Sequence, residues 1–150
     1  MEIFADATTV ANQLVGMLKD YKAKAEVESW TKQFQANRKN YLEHRDLEAD
    51  TESVPIMPSG LFKELRGALP KNVVATLDAG TMCLQLTDAL NFHEPKSLFT
   101  PLDFGLVGFS YPAGLGIKLA APDRPVVSFH GDGGMSMVIP ELSTAVENNI

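Results

Sequence analysis

Two kinds of hydrophobic patterning divide this chain. From Glu2 to Glu64 it is dense in Lys, Glu, Asp and Arg, whereas from Val73 onward charges are sparse and Gly, Ala, Val and Leu dominate. The first stretch reads as a peripheral helical segment and the second as a buried α/β segment. Val10, Leu14, Met17 and Leu18 recur at helical spacing, which predicts a helix from about Ala7 to Tyr21 with Asp6 as its N-cap. A more polar helix is expected over Ala25 to His44, with Val27, Trp30, Phe34 and Tyr41 as a thin apolar stripe and its Lys and Glu run as a solvated face. Arg45 to Pro58 reads as a linker. Ser59 is then expected to cap a short helix that turns Leu61, Phe62, Leu65 and Leu69 inward and ends at Pro70.

Beyond Pro70 the pattern alternates. Val73 to Leu77 reads as a buried strand, Asp78-Ala79-Gly80 as a turn and Thr81 to Asn91 as a helix. Ser97 to Thr100 forms a short strand in this reading. Gly105 to Ala121 contains a helix with Pro112 in its first turn, and Pro125 to His130 is the next strand. A last helix carries Leu142, Val146 and the apolar edge of Met137 and Val138, with Pro140 and Glu141 as first-turn residues. Strand–helix alternation implies an α/β fold: a parallel sheet with flanking helices, preceded by a helical connector. Ligands of such sheets bind at the carboxyl ends of strands, where the Asp78 and Gly131 turns both fall.

Bulk properties narrow the chemistry. With 150 residues, 45% hydrophobic and 21% charged, the chain has an ordinary globular composition. A net charge of −6 argues against a nucleic-acid partner, which needs a basic face. The single cysteine, Cys83, leaves no internal disulfide and fits a reducing, cytoplasmic setting. No apolar run approaches the roughly 18 residues of a membrane span, and the N-terminus Met-Glu-Ile-Phe-Ala-Asp lacks the pattern of a secretory signal.

The richest chemistry lies in Gly131-Asp132-Gly133-Gly134, between the strand Val126 to His130 and the last helix. Glycines let backbone N–H groups approach phosphate oxygens, a helix N-terminus favours anions, and an aspartate binds a hard cation. Glycine and aspartate are also common turn residues, so a plain strand-to-helix turn stays open on these four alone. Neither the G-x-G-x-x-G spacing of a dinucleotide site nor the Gly-Lys-Ser/Thr of a Walker loop is present. Phe104-Gly105-Leu106-Val107-Gly108-Phe109 is a second glycine-rich segment, compatible with a helix start packed closely on the sheet. Thr81, after Gly80, can cap a helix, touch a phosphate, or both. His130 is read as an inward or edge strand residue, His44 and His93 as exposed, Cys83 as packing, and Asn148-Asn149 as a helix C-cap.

Gly131-Asp132-Gly133 with Glu141-Leu142-Ser143-Thr144-Ala145-Val146, preceded by Arg124-Pro125-Val126-Val127, resembles the opening of the thiamine diphosphate motif of the acetolactate synthase family. The resemblance implies that Asp132 binds Mg²⁺ and that Gly131, Gly133 and Gly134 bind the diphosphate of thiamine diphosphate. It implies that Gly105 offers its carbonyl to the cofactor's amino group, that Val107 supports the bent cofactor, and that Gly80 and Thr81 touch the diphosphate. It assigns no catalytic residue to this chain. Residues 59–150 would start the pyrophosphate-binding domain, 1–22 would be the last helix of a preceding domain, and 23–58 the connection. The expected whole is a homodimeric or homotetrameric enzyme that decarboxylates a small-molecule 2-oxo acid and joins the product to a second carbonyl. In that family an Asn-Asn pair supplying a further metal ligand follows later than Asn148-Asn149 stands here. The chain would therefore be a fragment, inactive alone. Other enzymes of the same cofactor (a 2-oxo acid decarboxylase, an oxalyl-CoA-type lyase, a sulfoacetaldehyde acetyltransferase-like enzyme) and a non-catalytic interaction piece remain as alternatives.

Overall fold

The computed structural model describes residues 4–150, so residues 1–3 of the expected 1–22 segment lie outside the described residues. Two compact units are present, the first ending at Asp46 and the second running Leu47–Ile150.

In the first unit, α1 spans Ala7–Met17. Asp6 is its N-cap, accepting from the Thr9 amide at 2.9 Å and the Thr9 hydroxyl at 3.2 Å. The Thr9 amide bond is the main cause holding the Asp6 carboxyl below its ordinary range. The helix stops before the expected Tyr21, because Tyr21 N–H turns back to the Leu18 carbonyl at 3.0 Å. α2 runs Ala25–Glu48, past the expected His44 and into the stretch expected as linker. Trp30 and Phe34 stack one turn apart on it, with ring centroids 5.6 Å apart.

The second unit carries the sheet. Its elements are α3 (Pro58–Ala68), β1 (Val74–Leu77), α4 (Thr81–Ala89), β2 (Leu98–Phe99), α5 (Ser110–Ala120), β3 (Val126–Phe129), α6 (Asp132–Val138) and α7 (Glu141–Glu147). The three strands are parallel in the order β2-β1-β3, as the alternating pattern implies. β1 is central and buried throughout. One face of the sheet, through Leu77, packs with Phe62 of α3 and Cys83, Leu86 and Ala89 of α4, together with Leu90. Phe129 and Leu98 border this cluster. Cys83, 2% exposed, is thus a packing residue as expected.

The other face is polar at its centre. Thr76 and Ser128 are register partners on β1 and β3, and α5 lies over them. The Thr76 hydroxyl donates to Ser128 Oγ at 2.8 Å, and the Ser110 hydroxyl donates to the Thr76 carbonyl at 2.9 Å. Gly114 makes this approach possible, since a Cβ there would overlap Ser128 Oγ. At the opposite end of the sheet, Arg124 donates to the carbonyls of Asn72 at 3.0 Å and Lys96 at 3.2 Å and to Ser97 Oγ at 2.6 Å. One guanidinium fork thereby ties the entrances of all three strands.

Several boundaries differ from the sequence expectation. Met57, not Ser59, is the N-cap of α3, with Pro58 in the first helical position, where its missing N–H costs nothing. Gly80, not Thr81, precedes α4 as its N-cap, and Thr81 is its first helical residue. The expected single C-terminal helix is two. Helix begins at Asp132 inside the glycine turn, and Pro140 interrupts it because proline has no N–H for the ladder and crowds the preceding turn. Asn148 is the C-cap of α7 and Asn149 has φ 54°, the left-handed form expected of that pair.

Two contrasts test this packing. Gly114→Ala should destabilise the chain by about 1–3 kcal/mol through overpacking, whereas Gly116→Ala on the same helix, with no atom within 4 Å of its Cβ position, should stabilise it by up to about 1 kcal/mol. Urea midpoints read both signs. Arg124→Lys, which keeps the charge but loses the fork, should cost about 1–3 kcal/mol in the same assay.

Candidate functional site

Three loops leave the carboxyl ends of the strands: 78–80 after β1, 100–109 after β2 and 130–131 after β3. The residues expected to hold cofactor and metal stand on these loops or on the first turns of the helices that follow. What gathers them is a residue the sequence reading left as a turn position, Asp78.

Asp78 follows the buried run of β1 and is 1% exposed. Its Oδ2 accepts from the Gly108 amide at 2.9 Å, and its Oδ1 from the amides of Phe109 at 2.7 Å and Ser110 at 3.1 Å. These are the orphan donors at the start of α5, whose own N-cap, Phe109, offers no side-chain acceptor. A carboxylate at this position also complements the helix dipole. Gly108 has φ +86°, a conformation that favours glycine and lets the three amides converge on one carboxylate. Asp78 N–H donates to the Phe129 carbonyl at 2.9 Å, and Ala79 N–H to the Leu106 carbonyl at 3.4 Å. Gly134 rests directly on the carboxylate, since a Cβ there would overlap Asp78 Oδ2. The cue available in the sequence was indirect: a carboxylate ending an apolar strand, and a helix start lacking its own cap.

Around this hub the expected residues are placed as follows. Gly131 is the N-cap of α6 with no side-chain cap bond, and Asp132 is its first helical residue, exposed to solvent. Cβ positions at Gly131 and Gly133 meet no atom within 4 Å, so the outer side of the turn is open, while Gly134 faces inward and is buried. Gly80 (φ +136°) and Gly105 (φ +62°) also have nothing within 4 Å of their Cβ positions. Both line a cleft of about 220 Å³ together with Ala79, Cys83, Leu84 and Leu102. Thr81 is exposed beside Gly80, and Val107 is 46% exposed. Gly108 packs against α6, its Cβ position 3.2 Å from Val138 Cγ1.

Other candidates lie apart. His130 stands just past the end of β3, meets Tyr111 edge to face at 6.3 Å, and lines a separate cavity of about 580 Å³ beside β3 and α5. His44 and His93 are exposed. Among the described residues no group of three or more His, Cys, Asp or Glu could hold a metal ion by itself. No helix among them is long and apolar enough to cross a membrane.

The arrangement offers uncapped amides of a short glycine-rich helix start, one exposed carboxylate among them, and a mostly apolar cleft lined by the other two loops and the start of α4. Backbone donors suit phosphate oxygens and a lone carboxylate suits a hard cation.

Residues 78–150 match the family described as thiamine pyrophosphate enzyme, C-terminal TPP binding domain. The chain is 34% identical over 130 residues to a sulfoacetaldehyde acetyltransferase of Alcaligenes xylosoxydans xylosoxydans, covering 83% of this chain and 21% of that protein. It is 31% identical over 152 residues to the acetolactate synthase large subunit of Haemophilus influenzae, covering 99% and 26%. Against the acetolactate synthase isozyme 3 large subunit of Escherichia coli it is 30% identical over 148 residues, covering 97% and 25%. The chain thus spans about a fifth to a quarter of the length of these relatives. A match that begins at Asp78 and runs through all three strand-end loops, with relatives aligned over nearly the whole chain, places this protein in the acetolactate synthase-like family of thiamine pyrophosphate-dependent enzymes.

Proposed function

We propose that this chain forms the diphosphate- and metal-binding part of a thiamine diphosphate- and Mg²⁺-dependent carboligase that decarboxylates a 2-oxo acid. The observation that carries this reading is the start of α6. Its first-turn amides have no side-chain cap, the space over Gly131 and Gly133 is open, and Asp132 stands exposed among them. That donor set fits the group: amides for phosphate oxygens, and an oxygen ligand for a hard cation, which takes its remaining ligands from phosphate and water.

In this reading Gly131, Gly133 and Gly134 hold the diphosphate and Asp132 holds Mg²⁺. Gly80 and Thr81 reach the diphosphate from the end of β1. The Gly105 carbonyl accepts from the amino group of the pyrimidine, and Val107 supports the bent cofactor from its partly exposed position. When bound, thiamine diphosphate supplies the carbanion chemistry that releases CO2 from a 2-oxo acid and directs the remaining carbon to an acceptor. The chain's own contribution is to bind and orient, and no catalytic residue is assigned to it. Alone it would bind cofactor without turnover. Residues 1–22, 23–58 and 59–150 correspond in this proposal to the end of a preceding domain, a connection and the start of the pyrophosphate-binding domain. A cytoplasmic homodimer or homotetramer is proposed for the complete enzyme. Exposed apolar side chains such as Leu84 (68%) and Phe104 (86%) support association.

A second reading for the donor has its own support, because a sulfoacetaldehyde acetyltransferase stands among the relatives at 34% identity over 83% of this chain, beside acetolactate synthases at 27–34%. Product analysis of the enzyme with pyruvate and with sulfoacetaldehyde as donors separates the two, and turnover of sulfoacetaldehyde alone would replace the 2-oxo acid reading.

Calorimetric titration of the chain with thiamine diphosphate tests the site. Asp132→Asn should abolish the Mg²⁺ dependence of binding, a loss beyond the roughly 10–100-fold typical of an outer-shell partner. Unchanged Mg²⁺-dependent affinity would remove Asp132 from the site. Gly133→Ala should leave folding intact or stabilise it by up to about 1 kcal/mol, yet weaken cofactor binding, because its new methyl group enters the open side of the turn.

A further inference from the structure

We infer that Asp78 is a positioning residue that sets the spacing between the segment 105–108 and the turn 131–134. The inference rests on the cofactor reading above and adds a residue that, in that reading, touches neither cofactor nor metal.

Asp78 grips the two segments in different ways. The first is held by hydrogen bonds from Gly108, Phe109 and Ser110, supported by the Ala79 bond to the Leu106 carbonyl. The second is held by contact, with Gly134 lying on Oδ2, the same oxygen that accepts from Gly108. Among the described residues no backbone hydrogen bond joins 105–110 to 131–134. Apart from packing of Gly108 on Met137 and Val138, their separation is therefore set by the width of one buried carboxylate. A carboxylate serving only as a helix cap would have no need of the Gly134 contact. A ligand held at both ends gains affinity only when its two subsites stand at the correct separation, because the second contact then forms intramolecularly. Asp78 is placed to fix that separation from beneath.

The test compares two probes on the 150-residue chain. Mg²⁺–pyrophosphate engages the turn 131–134 with Gly80 and Thr81 but not the segment 105–108, and Mg²⁺–thiamine diphosphate engages both segments. In Asp78→Asn the amide nitrogen, itself a donor, replaces one carboxylate oxygen and must face at least one of the three backbone donors. In Asp78→Glu the charge is kept and the reach grows by one methylene. Both variants, compared per folded chain after far-UV circular dichroism, should bind thiamine diphosphate about tenfold or more weakly, and pyrophosphate within about twofold of wild type. Equal weakening of both probes, or full rescue by Asp78→Glu, would reduce Asp78 to a structural cap and overturn the inference. A second measurement needs no variant: saturation of wild type with Mg²⁺–pyrophosphate should slow hydrogen exchange at the amides of Gly108, Phe109 and Ser110, and unchanged exchange there overturns the inference. Wild type that binds neither probe, or both equally, overturns the cofactor reading itself and the inference with it, and that outcome is visible before any substitution is made.

Discussion

The carboxylate of Asp78 is the constraint on which the working end of the sheet depends. Burying a charge is costly unless it is fully hydrogen-bonded, and here three consecutive amides at a helix start meet it. The exchange is mutual, since the amides opening α5 would otherwise be orphans under the glycine turn. Because Asp78 ends the central strand, solving this local problem also fixes where the loops after β2 and β3 can lie.

A comparable logic runs down the sheet. Thr76, Ser110 and Ser128 put hydroxyls where an apolar layer would be the simpler solution, and each finds a partner within the trio or its backbone. Hydrogen bonds demand closer approach than hydrocarbon contacts, which is why α5 presents Gly114 at that point. At the far end, Arg124 collects the carbonyls that the strand entrances leave unpaired. Polar clamps at both ends of a small parallel sheet hold strand register while leaving the carboxyl-end loops free to carry chemistry.

Much of this architecture was legible beforehand. The β-branched run before Gly131 and the short apolar run Val73 to Leu77 predicted two strands of one parallel sheet, and the structure makes them register partners, Val74 with Val126 through Leu77 with Phe129. Asp6 as a cap and Asn148-Asn149 as a helix end were equally readable, because capping is decided within a few residues. Less readable were the helix starts. Sequence placed the last helix near Pro140, whereas Asp132 already begins a turn of helix, since packing of the start of α6 onto Asp78 and α5 offsets the poor helix propensity of Gly133 and Gly134. The region expected as linker lost its beginning to α2, because a polar helix gives no apolar periodicity to mark its end.

The sequence by itself determined the alternation of strands and helices, the glycine turns at strand ends and the chemical character of Asp132, because these follow from local spacing and residue type. Only the tertiary structure decided which glycines face outward and which face the protein. Gly133 is open and Gly134 buried, though they are adjacent and chemically identical, because Asp78 lies beneath just one of them. It also decided that Asp78 serves Gly108, Phe109 and Ser110. A hydrogen bond between residues some 30 positions apart depends on the parallel crossover that brings the ends of β1 and the start of α5 together, and no pattern within either segment encodes that meeting.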